Sequence, residues 1–382
     1  MTTALVRQRL HNQHLAPAAH GRAAGIVAAL GAVQAQEYAA AKWALALRMR
    51  DPATDAEIER AFDAGRILRT HVLRPTWHFV TPADIRWMLE LTAPRVRGAM
   101  RYAFRVYDLD PALCIRATTI FERALRDARE LTRADLRTAL ARAGVAMTGV
   151  RLALLTMYAE LEGIICSGPR RKPPALREQR RRPVEGPALS ERKGRRVEGQ
   201  MTYALLADRA PRARTLDREE ALAELTARYF TSHGPATVRD FVWWSGLAAV
   251  DARRGLDMAR AKSQVIDGGT YWTLGRDWSR RTKRTAVHLL PIYDEYLVAY
   301  RDRAAVCPEG PSGAMSLQPA LVVDGQVAGT WKASRQLDGV VVEISARRRL
   351  TGRERLALAD TAAGYGRFLG VPVSISMTRS RK

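Results

Sequence analysis

In 382 residues the chain carries 62 Lys and Arg against 39 Asp and Glu, a formal net charge of +23. A surface this cationic repels itself unless it meets a polyanion, and phosphate backbones suit it because each neutralised phosphate releases condensed counterions; nucleic acid therefore comes ahead of a small metabolite as the partner. No apolar run approaches the roughly 18–20 residues of a membrane span, the N-terminus lacks a secretory apolar stretch, and Cys114, Cys166 and Cys307 are too few and too far apart for a disulfide framework or a zinc site, so a cytoplasmic protein with no membrane association, no metal and no other cofactor is expected.

Residues 1–115 open with apolar positions at helical spacing (Leu5, Leu10, Ile26, Val27, Leu30), stopped at Gly31. Residues 32–36 read as a connector and 38–48 as an apolar helix broken at Asp51-Pro52. Thr54 and Glu57 form a capping box for the next helix. Residues 67–80 read as a β-hairpin, and Thr81-Pro82-Ala83-Asp84 as a helix start with Pro at its first position. Residues 116–200 repeat the scheme. A helix ends near Arg129, Thr132 and Asp135 cap a helix over 133–143, a third spans 150–162, and 164–168 read as a strand. Residues 201–285 do so again, with caps at Asp217 and at Thr237 with Asp240, helices over 238–245 and 250–262, and a β run over 265–274 turning at Asp267-Gly268-Gly269. Trp243 and Trp244 are both expected in the core there.

Helix, capped helix, helix and hairpin is the plan of a winged helix, a helix-turn-helix with an added wing. The expected fold is α+β: three tandem winged-helix (helix-turn-helix) modules at 1–115, 116–200 and 201–285, then a C-terminal β-rich domain at 286–382. In that last part 321–323, 327–331 and 340–344 are short strands joined by Asp324-Gly325 and Asp338-Gly339 turns, followed by a helix over 351–369 and a strand over 372–376. The second module carries a basic extension, 168–196, with eleven Lys or Arg and three Glu among its prolines and glycines. Such a segment buries no core but can lie on phosphates. Arg170, Arg171, Lys172, Arg180, Arg181 and Arg182 are its candidate DNA contacts.

Few residues announce chemistry. There is no HExxH, no CxxC, no GxSxG and no Gly-rich phosphate loop. Gln34 and Gln36 are neutral amides, unable to act as bases, but each offers one acceptor and one donor group with which to orient water. His78 lies on the hairpin, with Trp77 on the opposite face of its strand. Asp294, Glu295, Arg301, Asp302 and Arg303 read as a local ion-pair network.

Taken in order, VQAQEYAAAKWALALR, LRPTWHFVTPADIRWML, SHGPATVRDFVWWSGL and LLPIYDEYLVAYRDR resemble the AlkZ-type family of winged-helix DNA glycosylases, over nearly the whole chain. The resemblance implies a C-shaped arrangement around duplex DNA and hydrolysis of the N-glycosidic bond of bulky N7-alkylguanine adducts. In some members it extends to unhooking interstrand crosslinks or to self-resistance against a genotoxic natural product. The family's catalytic Gln-x-Gln falls on Gln34 and Gln36; a sister branch has an acid at the second position, so Gln36 sets this chain with AlkZ. His78, Arg74 and Trp77 are further expected DNA contacts. The expected protein is a monofunctional DNA repair hydrolase, a monomer whose partner is double-stranded DNA containing alkylated bases. The alternative is a non-catalytic winged-helix transcriptional regulator, in which both glutamines would be dispensable.

Overall fold

The computed structural model describes residues 2–147, 149–171, 200–274, 285–307 and 318–379, with helices and strands mixed along the chain. A first group holds α1 (Thr2–Asn12), α2 (Ala23–Leu30), β1 (Val33–Gln34), α3 (Tyr38–Ala46), α4 (Asp55–Asp63), β2 (Leu68–His71) and β3 (Trp77–Val80). Its sheet is antiparallel in the order β1-β3-β2. The long α5 (Ile85–Val106) leads to a second group: α6 (Pro111–Ala128), β4 (Glu130–Thr132), α7 (Arg133–Arg142), α8 (Gly149–Leu161), β5 (Ile165–Ser167) and β6 (Thr202–Leu205). Its sheet order, β4-β6-β5, is the same topology, and it closes only beyond position 200.

After the short α9 (Leu206–Arg209) come α10 (Arg218–Ser232), α11 (Val238–Ser245), α12 (Ala249–Ala259), β7 (Lys262–Ile266) and β8 (Gly269–Thr273). Ala236, just before α11, bridges Trp272 of β8, in the place a full strand takes in the other two groups. The remaining described residues form β9 (Val287–Leu290), α13 (Glu295–Val298), β10 (Ala320–Val323), β11 (Gln326–Gln336), β12 (Gly339–Ala346), α14 (Gly352–Leu369) and β13 (Val373–Arg379). These strands make one sheet, β13-β12-β11-β10-β9, with β13 parallel to β12. No helix among the described residues is long and apolar enough to cross a membrane.

The helix starts follow from side chains that satisfy orphan N–H groups. Thr54, Thr132, Asp217 and Thr237 each close a capping box with Glu57, Asp135, Glu220 and Asp240. Each cap stabilises its helix by roughly 1 kcal/mol. Elsewhere local chemistry moves a boundary. Helix α5 starts at Ile85, not Pro82, because the Thr81 hydroxyl and the Trp87 indole both bond to the Asp84 carboxylate and hold 81–84 as a turn. Helix α12 stops at Ala259 because Arg260 turns left-handed, with φ +52°. Neighbours on a helix point about 100° apart, so α11 buries Trp244 completely but leaves Trp243 42% exposed, against the expectation that both pack inside. Strand β11 outruns the expected 327–331 because residues 332–336, none of them β-branched, pair with the valine-rich start of β12.

The first group is wedged between the others. One core joins Ile26, Leu30, Phe62 and Phe79 to Leu289, Trp331, Ile344 and Phe368 of the final sheet layer. A second joins Leu68, Val72 and Trp87 to Tyr229, Trp244 and Tyr300. The indole N–H groups of Trp43 and Trp331 donate to the carbonyls of Leu289 and Leu290, both at 2.8 Å, which pins α3 and β11 to β9. Ala32 packs in the second core, and Val33 and Ala35 in the first. Strand β1 therefore sits on the seam between distant parts of the chain.

Candidate active site

Val33 and Ala35 pack into the apolar core, while the Gln34 and Gln36 side chains both bond to the segment that joins β2 to β3 and opens β3, at Arg74 and Trp77. The connector expected at 32–36 is thus an edge strand and the bend after it. Being on the edge, the Gln34 N–H has no strand to pair with, and it donates instead to Glu295 Oε1 at 2.6 Å. The Gln34 side-chain oxygen accepts from Arg74 Nη2 at 2.9 Å. Gln36, half-buried, takes the Trp77 N–H on Oε1 at 3.4 Å. Arg69 grips the same bend, donating to the Ala35 carbonyl at 2.9 Å and the Gln36 carbonyl at 3.5 Å.

Arg74 stands on the turn between β2 and β3. Leu73, just before it, holds φ +64°, a left-handed conformation that costs about 1–2 kcal/mol for an L side chain. The turn is held from two sides. Thr92 Oγ1 accepts the Leu73 N–H at 3.1 Å, and Gly246 at the end of α11 lies against the Leu73 carbonyl. His78 faces Gln34 across the ladder and is fully buried. Its Nδ1 donates to the Thr76 carbonyl at 2.9 Å, so Nε2 is the acceptor facing Arg74 Nη2 at 3.5 Å. Burial, then the charge of Arg74, push the His78 pKa down to about 3. The ring is neutral at physiological pH, and in this structure it touches Arg74 and not solvent.

Glu295 is fully buried. Besides Gln34 it receives the Trp244 indole N–H at 2.9 Å, and His233 Nε2 lies 3.5 Å away. Burial opposes its charge, but the contact with His233 and the charge of Arg74 outweigh it and bring the carboxyl down to about 2. Trp77, half-buried, is clamped in place. Its indole donates to Glu160 Oε1 at 3.3 Å, and the His71 ring and the Arg69 guanidinium each lie 4.3 Å from its ring. His71 bonds the same buried Glu160, which arrives from α8 of the second group.

Structure and sequence part over the other residues. The acids of 294–303 form no local network with the neighbouring arginines. Asp294 caps α13 and makes a two-pronged buried pair with Arg48, at 2.7 and 2.8 Å. The Arg301 and Asp302 N–H groups donate to Asp240, and Arg303 donates to the Leu297 carbonyl. Arg170 leans on the Tyr38 ring and pairs with Glu59 at 3.6 Å; Arg171 pairs with Asp135 at 2.8 Å. Both are thus engaged by groups of this chain. Lys172, Arg180, Arg181 and Arg182 lie outside the described residues. No group of three His, Cys, Asp or Glu side chains fit to hold a metal occurs among the described residues.

The site thus brings together two neutral amides, two guanidinium groups and two buried carboxyl groups. Gln34, Gln36, Arg74, Trp77 and His78 converge in space, a grouping that the sequence alone did not give. Glu295, Glu160 and Arg69 belong beside them. Only the position of Glu295 within a dense polar-aromatic run hinted at a role, and nothing in the sequence links it to a residue 261 positions earlier.

A family model described as DNA glycosylase AlkZ-like matches residues 27–368. Among curated proteins, the interstrand DNA cross-link repair glycosylase of Streptomyces sahachiroi is 23% identical over 346 residues, covering 85% of each chain. Among solved structures, the Streptomyces sahachiroi DNA glycosylase AlkZ superposes with a TM-score of 0.73 at 21% identity, over 98% of each chain.

Proposed function

The chain belongs to the DNA glycosylase AlkZ-like family, and on that premise we propose that it is a monofunctional enzyme hydrolysing the N-glycosidic bond of bulky N7-alkylguanine adducts in double-stranded DNA. The proposal extends to unhooking interstrand crosslinks of the same chemistry, in repair or in self-resistance to a genotoxic natural product; the name of the curated relative supports that extension. In the same reading the three recurring groups are tandem winged-helix modules, 1–115, 116–200 and 201–285, which with the β-rich domain at 286–382 curve around the duplex. The enzyme works as a monomer in the cytoplasm.

The observation that carries this reading is the glutamine pair, whose side chains bond to Arg74 and Trp77. Alkylation at N7 leaves guanine cationic and half-expelled, so its departure needs little acid help. What remains is to place water against C1′ as the sugar gains oxocarbenium character. An amide oxygen has two lone pairs. On Gln34 one faces Arg74, and the other accepts from the attacking water, with Gln36 aligning the same molecule. The C1′–N9 bond breaks with its electron pair going to the base, which leaves neutral; the water oxygen bonds C1′ and its extra proton passes to solvent, since neither His78, neutral, nor Glu295, buried with its oxygens engaged, is placed to take it. Amides this weak leave unmodified bases alone. Arg74 makes no ion pair among the described residues; its Nε is buried without a partner and its Nη2 is on Gln34, and the charge of its outer end suits a phosphate flanking the damaged nucleotide.

The test uses duplexes carrying N7-alkylguanine adducts of increasing bulk. Expected are a freed adduct base, abasic sites that break only in alkali, and no enzyme trapped on DNA by borohydride. Tight binding to one undamaged sequence with no base released at any adduct size would favour the transcriptional regulator instead.

A further inference from the structure

The glutamine pair rests on a charge that the reaction as described does not use. Glu295 is fully buried, and around neutral pH it is an anion. Unneutralised buried carboxylates are costly, so their retention calls for a reason. Three groups from three regions converge on it: the Gln34 N–H, the Trp244 indole of α11 and the His233 ring at the end of α10. No Lys or Arg makes an ion pair with it among the described residues. Its neighbour Asp294, by contrast, takes both prongs of Arg48. Asp294 therefore secures the loop, and the Glu295 charge is left facing the edge of β1.

We propose that Glu295 is the positioning carboxylate of the glutamine pair, fixing the backbone of Gln34 from beneath and holding an unscreened negative charge under the place where the sugar becomes positive. This inference rests on the glycosylase reading of Gln34. The geometry gives it two parts. A short bond to the Gln34 N–H stops the edge strand from sliding along its register, and so sets where the amide meets water. The charge also offsets Arg74, whose cation would otherwise oppose a positive sugar beside the same amide. Glu295 does not touch the substrate; it acts through Gln34 and through its field.

The test compares E295Q and E295D with the unaltered enzyme in single-turnover base release, with duplex affinity and melting temperature measured alongside. E295Q keeps the shape, loses the charge, and can present an oxygen to only one of the two N–H donors. It is expected to slow release by roughly 10–100-fold, the usual effect of losing a supporting partner, with affinity for the duplex within about threefold. E295D, charged but one methylene short, recovers part of the rate. In a Q34A background E295Q costs less than it does in the unaltered enzyme, because the part of its effect that runs through the Gln34 amide is already lost and only the part carried by its field remains. Release by E295Q within about twofold of the unaltered enzyme, or losses that simply multiply in the double variant, overturns the inference. If E295Q does not fold, E295D decides: a full rate there overturns it too. Should Q34A itself release base normally, the glutamine reading fails first; should Q34A be dead while E295Q is fully active, only this inference fails.

Discussion

His78 shows what a single residue reveals and conceals. The sequence places it next to Trp77 on a hairpin and offers it as a DNA or sugar contact. It does not say that the ring is buried opposite Gln34, that Thr76 takes its proton, or that its free nitrogen faces Arg74. Those facts depend on the register of β1 against β3, set by the packing of Val33 and Phe79. The consequence is measurable. The His78 pKa lies near 3 and that of Glu295 near 2, so neither changes charge around neutrality. Single-turnover release should be flat from about pH 5.5 to about pH 9, since neither the His78 ring nor the Glu295 carboxylate titrates there as an unperturbed imidazole would at about 6.5. A limb with a midpoint near 6.5 would mean that a histidine works as a base and would refute the water-positioning role of the amides.

Secondary-structure elements were legible where their signals are local. The capping boxes at Thr54, Thr132, Asp217 and Thr237 place four helices because cap and partner lie three residues apart. Strand β1 was not legible: two residues carry no periodicity, and its pairing with β3 is decided more than forty residues later. The turn bearing Arg74 depends in the same way on a distant element. Gly246 has φ +69°, and a Cβ there would come 2.2 Å from the Leu73 carbonyl oxygen. Gly246→Ala should destabilise the fold by about 2–3 kcal/mol, left-handed strain plus clash, and should slow base release because the Arg74 turn must shift. Gly144→Ala is the control. Its φ is +74° but nothing lies within 4 Å of the added atom. It should cost about 1 kcal/mol and leave release unchanged. Thermal melts and single-turnover rates on both variants decide this, and equal behaviour of the two would show that the turn is not held by α11.

On the scale of the whole molecule, the threefold recurrence of helix, capped helix, helix and hairpin could be read from helix stops and hairpin turns; the short strand that follows the first helix in two of the groups could not. How the groups pack could not. The cores join residues 26–79 to 287–368 and residues 68–87 to 222–300, and no spacing rule reaches that far. The histidines share in this packing. Burial lowers the pKa of His11, His14, His20, His78, His233 and His288. The unfolded chain therefore takes up protons below about pH 6.5 that the folded chain refuses. Stability is complete above that value and falls as pH drops toward 4 and 3, where His14 and His78 finally titrate. Each fully buried ring contributes a slope of up to about 1.4 kcal/mol per pH unit in that window. The melting temperature should fall by roughly 5–10 °C between about pH 7 and about pH 5. A melting temperature that is constant or rising over that interval would contradict the burial of these rings.

Whether two uncharged amides, Gln34 on the edge strand and Gln36 in the bend after it, place the attacking water is decided by single-turnover release from a duplex with one N7-alkylguanine. Q34A, Q36A and the double variant are compared with the unaltered enzyme, and duplex affinity is measured in parallel. Each single change should lower the rate by about 100-fold or more while affinity moves by less than about threefold, and the double variant should be little worse than the poorer single, because both amides hold one water. Unaltered release by either single variant, or a loss of rate explained wholly by a loss of binding, would contradict it.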